Sequence, residues 1–158
     1  MDARGAYLKL DMPAREKKEP PGEWRVLLNG PSALLPDGRR FSFQPVGEEE
    51  KIAPEENKIN NLLFNNRAFY DRILYTGILR NRRAGDSYRP AGRSGSRSLK
   101  KLFNDEKIPV EERWDRVVLA DPQNGKILWV EGFGPAEEFS RSGQGEEAEA
   151  FQIRITEK

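Results

Sequence analysis

Neither cysteine nor histidine occurs in the 158 residues. The first absence removes any disulfide framework and suits a reducing compartment, so a cytoplasmic protein is expected. Together the two absences exclude thiolate and imidazole zinc sites, and with them the Cys–His and Ser–His nucleophile pairs. Any chemistry would have to rest on carboxylates, lysines or an oxygen-ligated metal. The glutamates offer no suitable constellation. Glu48, Glu49 and Glu50 lie in a breaker-rich stretch, and Glu146, Glu147 and Glu149 follow a glycine-rich one, the usual settings of solvated loop charge. No catalytic residue and no metal ligand is assigned. Long hydrophobic runs are missing as well. Nothing approaches the ~20 apolar residues of a membrane helix, and the opening MDARGAYLKLDM holds no hydrophobic signal region. Neither a membrane partner nor export is expected.

What is present is polar and unevenly charged. Hydrophobic residues make up 36% and charged residues 34%, short of the disordered regime, so some segments pack while others stay loose. The length allows one domain, or two small ones sharing a core. Between Arg80 and Lys101 stand eight cations, Arg80, Arg82, Arg83, Arg89, Arg93, Arg97, Lys100 and Lys101, against one anion, Asp86. That stretch carries +7 in a chain whose net charge is +1. Gly92, Gly95, Ser96 and Ser98 lead into Leu99, Leu102 and Phe103, whose spacing marks one face of a short helix over 98–104 with Lys100 and Lys101 turned away.

A flexible arginine-rich loop entering a helix start offers guanidinium forks and backbone N–H donors to an anion. A polyanion is favoured, because the charge is strung along the chain. Two plainer readings stay open: a solvated charge run, or a loop neutralised by acidic segments of the same chain. The glycines do not make a nucleotide loop. Gly92 and Gly95 are separated by two residues and lack the Gly-Lys step of G-x-x-x-x-G-K-[ST]. Asp86 would repel a phosphate, so it reads as a turn cap holding its arginine neighbours. Trp24 and Trp129 read as core, and Trp114, next to Arg113, is left open as a surface contact.

Strands are expected over 6–10, 23–29, 39–46 and 72–80, with a turn at Pro36-Asp37-Gly38. Residues 47–57 and 132–148 read as mobile loops, and 58–69 as either a buried strand or a helical turn. Two apolar runs over 116–120 and 126–130, joined by Asp121-Pro-Gln-Asn-Gly125, form the clearest hairpin. Phe151, Ile153 and Ile155 alternate with polar residues in a terminal strand. The expected class is α+β: mainly antiparallel strands in a layered sheet arrangement with one or two short helices. The expected organisation is an N-terminal strand and proline-rich connector (1–22), a strand-rich first half (23–78) and a second half with the basic loop, helix, hairpin and terminal strand (79–158).

The ordered set Leu79-Arg-x-Arg-Arg-x-Gly-Asp86, Tyr88-Arg-Pro90, Gly92, Gly95, Leu99-Lys-Lys101, Phe103, Lys107-Ile-Pro109, Arg113 and Gly125-x-Ile-Leu-Trp-Val-x-Gly132 resembles the C-terminal domain of bacterial tRNA(Ile)-lysidine synthetase. The resemblance implies a fold like a domain of the phenylalanyl-tRNA synthetase β-subunit, and a role in gripping the tRNA acceptor stem. It implies a parent ligase that uses ATP to join lysine to the wobble cytidine of tRNA(Ile). ATP and lysine belong to an N-terminal domain with a Ser-Gly-Gly-x-Asp-Ser loop, which this sequence lacks, so no cofactor is expected in this chain. The expected RNA contacts are Arg80, Arg82, Arg83, Arg89, Arg93, Arg97, Lys100, Lys101 and Arg113, around a structural turn of Gly85, Asp86, Gly92 and Gly95. Ala84, Ser87, Val117 and Glu131 depart from the family pattern, which usually has proline at 84, often arginine at 87, and often proline at 117 and 131. The rival expectation is a protein-interaction domain, its basic loop docking on an acidic surface or its sheet edges pairing in a homodimer.

Overall fold

The computed structural model describes residues 22–46, 61–92, 95–140 and 148–157. Strands β1 (Arg25–Leu27), β2 (Ser32–Leu34), β3 (Arg40–Pro45) and β4 (Leu62–Asn65) come first, followed by helix α1 (Arg67–Thr76) and strand β5 (Ile78–Asn81). The basic stretch contributes the short strands β6 (Ser87–Tyr88) and β7 (Arg97–Ser98) and helix α2 (Leu99–Asp105). A turn of helix, α3 (Val110–Arg113), precedes β8 (Val117–Ala120), β9 (Ile127–Val130) and β10 (Gly134–Pro135). A 3-10 turn (Glu137–Phe139) and the long strand β11 (Glu149–Thr156) complete the described chain.

The strands form two main antiparallel sheets, ordered β1-β5-β8-β9-β10 and β2-β3-β11-β4, and a separate β6-β7 hairpin. The class is α+β, layered, with few helices. The period-2 pattern explains the second sheet. Phe41 and Phe43 of β3 are buried, and their register partners in β11 are Ile155 and Ile153. Tyr70 of α1 stacks on Phe151 with ring centroids 4.3 Å apart, and its hydroxyl donates to the Phe43 carbonyl at 2.9 Å. One core cluster runs from Leu28 to Ile153. That cluster and the pairings β1–β5 and β3–β11 draw on residues from both the 23–78 and the 79–158 stretches.

The expected strand over 72–80 is corrected. Its first part belongs to α1, where Tyr70, Ile73 and Leu74 fall on one buried face and Asn66 caps the start by accepting from the Phe69 N–H at 2.8 Å. Gly77 ends the helix by close approach: a Cβ there would stand 2.8 Å from the Ile73 carbonyl oxygen and 3.2 Å from Leu28 Cδ1. Only 78–81 is strand. The open reading of 58–69 resolves into β4 followed by the start of α1. The expected loop over 132–148 is also corrected in its described part. Phe133 packs on Phe103 at 5.4 Å and Phe139 stacks on Phe69 at 5.2 Å, so apolar contacts fix a segment whose composition looked solvated. The expected strand at 6–10, the proline-rich connector and the loop at 47–57 lie outside the described residues, except for the connector's Gly22.

The hairpin of β8 and β9 holds its turn with a 2.7 Å bond from the Gly125 N–H to the Asp121 carbonyl. Asp121 is itself buried, and its carboxylate receives both terminal nitrogens of Arg72, at 2.9 and 2.8 Å. That pair fastens α1 to the first sheet.

Candidate nucleic-acid interface

The basic stretch is built as a fastened hairpin. Ser87 pairs with Ser98 and Tyr88 with Arg97. Buried Tyr88 donates its hydroxyl to the Gly134 carbonyl at 3.1 Å. The Ala91 N–H donates to the Pro135 carbonyl at 3.1 Å, the Glu137 N–H donates to the Arg89 carbonyl at 2.8 Å, and the Gly92 N–H donates to Glu137 Oε1 at 2.9 Å. The expectation of a flexible loop is corrected wherever the loop is described: backbone bonds tie it to β10 and the turn beyond it. Gly85 and Gly92 have φ of +88° and +82°, in the left-handed region where a side chain is strained.

Arg80, an expected RNA contact, is turned inward. It is buried, and its guanidinium gives a two-pronged bond to Asp86, Nη1 to Oδ2 at 2.9 Å and Nη2 to Oδ1 at 3.0 Å. Nη1 also donates to the Asn81 carbonyl at 3.1 Å. Asp86 accepts from the Arg83 N–H at 2.8 Å, and its own carbonyl accepts from the Leu99 N–H at 2.9 Å. One aspartate thus locks the turn and fixes the first residue of α2 relative to β5. Sequence alone could not say which arginine of the run it holds.

Two of the N–H donors expected at the helix start are already taken. The Leu99 N–H goes to Asp86, and the Lys101 N–H donates to the Ser98 hydroxyl at 3.1 Å. What α2 presents outward is side-chain charge. Leu99, Latched inward with Leu102 and Phe103, is buried, whereas Lys100 and Lys101 are exposed. Lys101 lies 3.8 Å from Asp105, an exposed pair of little strength. Arg89 is exposed and Arg97 half-buried, and among the described residues no carboxylate forms an ion pair with Arg89, Arg97 or Lys100. Arg93 lies outside the described residues.

Arg82, Arg83 and Arg113 have different surroundings. Arg83 Nε is 3.6 Å from a Glu23 carboxylate oxygen. Arg113 is anchored by Nε to the Ile108 carbonyl and by Nη1 to Asn104 Oδ1, both at 2.8 Å. Arg82 sits over two rings, 5.6 Å from the centroid of Phe103 and 5.5 Å from that of Trp114. Burial, and then the nearby charge of Arg113, pushes the Arg82 pKa down from its ordinary value, with Asp86 opposing. Trp114, left open by the sequence, is thus a platform for an arginine. Phe103 serves likewise, which its helix spacing did not signal.

Charge is segregated. One cavity, of about 460 Å³, is lined by Asp37, Glu112, Asp115, Glu131 and Glu157 with Arg39 and Arg116 among them, unsuited to a polyanion. A smaller cavity of about 330 Å³ adjoins the basic hairpin at Ser87, Arg89, Ser96 and Lys126. Among the described residues no group of three or more carboxylates could hold a metal ion, and no helix is long and apolar enough to cross a membrane.

The sequence of residues 78–153, which carries these elements, matches the protein family described as the TilS substrate C-terminal domain. Those residues carry the sequence pattern of a TilS C-terminal domain. A tRNA(Ile)-lysidine synthase of Solibacter usitatus is 47% identical over 71 residues, covering 45% of this chain and 16% of that protein. A bifunctional protein TilS/HprT of Listeria innocua is 47% identical over 91 residues, covering 56% of this chain and 13% of that protein. A crystal structure of a TilS C-terminal domain superposes with a TM-score of 0.62 at 25% identity, covering 86% of this chain and 98% of that one. The chain therefore spans less than a fifth of the length of these two curated TilS relatives, while the solved TilS domain is matched almost end to end. The family and the α+β fold agree with the resemblance and class read from the sequence.

Proposed function

We propose that this chain is the tRNA-holding part of a tRNA(Ile)-lysidine synthase, gripping the acceptor stem while chemistry with ATP and lysine proceeds in a region outside it. The observation that carries this reading is the outward array of Arg89, Arg97, Lys100 and Lys101, set on a frame that Asp86 makes rigid. Of those charges, among the described residues only Lys101 has a carboxylate near it, the exposed Asp105 at 3.8 Å. Their target is a phosphate backbone: such contacts fix register rather than read sequence, and an A-form stem is held through backbone and shape. Specificity for one tRNA then comes from elsewhere in the enzyme. Relatives named tRNA(Ile)-lysidine synthase support a parent reaction on tRNA, a ligation in this reading, and the proposed compartment is the cytoplasm.

The test is competition. Labelled tRNA(Ile) bound to the chain is displaced with an acceptor-stem minihelix or with an anticodon stem-loop. Displacement by the minihelix at much lower concentration supports the reading. Preference for the anticodon fragment, or no binding of tRNA at all, overturns it.

A further inference from the structure

We infer that the Arg82 guanidinium, held over the Phe103 and Trp114 rings, is a seat for a single phosphate group, separate from the exposed array on α2. Its neighbours in the run are accounted for: Arg80 is paired with Asp86, and Arg83 lies beside Glu23. Among the described residues Arg82 has neither a hydrogen bond nor an ion pair. Its Nε is shielded from water and makes no bond. The charged groups around it explain why. Asp86 has both carboxylate oxygens taken up by Arg80 and by the Arg83 N–H. Arg113, anchored at Asn104 and Ile108, brings a second positive charge instead of a counter-ion.

A partly desolvated cation facing another cation, with an unfilled Nε–H, is an arrangement that folded proteins ordinarily avoid. The two rings compensate only in part, because a cation–π contact attracts the charge but fills no N–H. A phosphate supplies the missing charge: the terminal nitrogens of the fork, which are not among the buried unbonded atoms, match its oxygens, and its charge offsets Arg82 and Arg113 together. The rings hold the guanidinium plane in place, so little side-chain freedom is lost on binding. The shared chemistry admits an RNA phosphodiester or free phosphate. For the first source the inference rests on the proposed tRNA-holding role; the seat itself does not.

The experiment follows tryptophan emission of the full chain on titration with inorganic phosphate at constant ionic strength, and separately with a short A-form RNA duplex. The expected result is a saturable change with both probes that Trp114→Phe abolishes. Arg82→Gln weakens it at least tenfold, and Arg154→Ala, at an exposed position of β11, leaves the phosphate response unchanged. Without phosphate, Arg82→Gln should melt no lower than wild type, since it relieves an opposed charge. If that variant fails to fold, Arg82→Lys, which keeps the charge and loses the fork, supplies the comparison and should also bind phosphate more weakly. A response to phosphate alone keeps the seat and removes the RNA source. RNA binding that is indifferent to Arg82, with no phosphate response, removes the seat and leaves the tRNA-holding reading standing.

Discussion

Replacing Asp86 by asparagine separates a structural aspartate from one that faces the ligand. In the wild-type fold the Arg80 and Asp86 side chains are 11% and 12% exposed, joined by two bonds of 2.9 and 3.0 Å. Removing one partner of a buried pair costs about 3–5 kcal/mol, because the other charge stays buried and uncompensated. Asparagine keeps one oxygen that can still accept from the Arg83 N–H, which places the expected loss near the lower end, about 3 kcal/mol. For a chain of this size that lowers Tm by roughly 6–12 °C. The assay is thermal unfolding followed by far-UV circular dichroism, with urea unfolding at 25 °C as the check on magnitude. Arg80→Met combined with Asp86→Asn should recover at least half of the loss, since both charges leave together. A single variant as stable as wild type, binding tRNA more tightly, would refute the reasoning. It would mean that the carboxylate repels the ligand and anchors nothing.

Other perturbations test the frame. Gly77→Ala pushes a Cβ to within 2.8 Å of the Ile73 carbonyl oxygen and should lose about 1–3 kcal/mol by urea unfolding. Ser98→Ala removes the acceptor for the Lys101 N–H and should lose about 1 kcal/mol, read as faster amide exchange in α2. Arg72 hydrogen bonds hold the Asp121 carboxyl below its ordinary pKa, against the opposing effect of burial. A carboxyl lowered in the folded state adds stability that is present above its unfolded pKa of about 3.9 and lost as pH falls through the folded value. Arg72→Met should therefore lose about 2–3 kcal/mol at neutral pH, and the gap to wild type should close in urea titrations below about pH 4.

Local pattern made several elements legible. Alternation gave β3 and β11, the Asn124-Gly125 connection gave the β8–β9 hairpin, and the spacing of Leu99, Leu102 and Phe103 gave α2. The family followed from the ordered motif set. Partnership between distant segments was not legible. Nothing in RILYTGILR separates strand from helix until the Asn66 cap and the Gly77 close approach are seen together. The pairings of β1 with β5 and of β3 with β11 join residues far apart in sequence, which no local period encodes. At the site, composition counted eight cations, but only packing sorts them. Arg80 turns inward to the lone aspartate, Arg82 lies on two rings, and Lys100 and Lys101 remain outside.

The central claim, that this outward array receives a tRNA backbone, is tested most directly by the salt dependence of binding. Affinity of the wild-type chain for tRNA should fall linearly on a log–log plot against salt as counterions are released. The Arg89→Ala, Lys100→Ala, Lys101→Ala triple variant should bind more weakly and flatten that slope by about 1 for each charge removed. An unchanged slope and affinity in a folded triple variant would contradict the account.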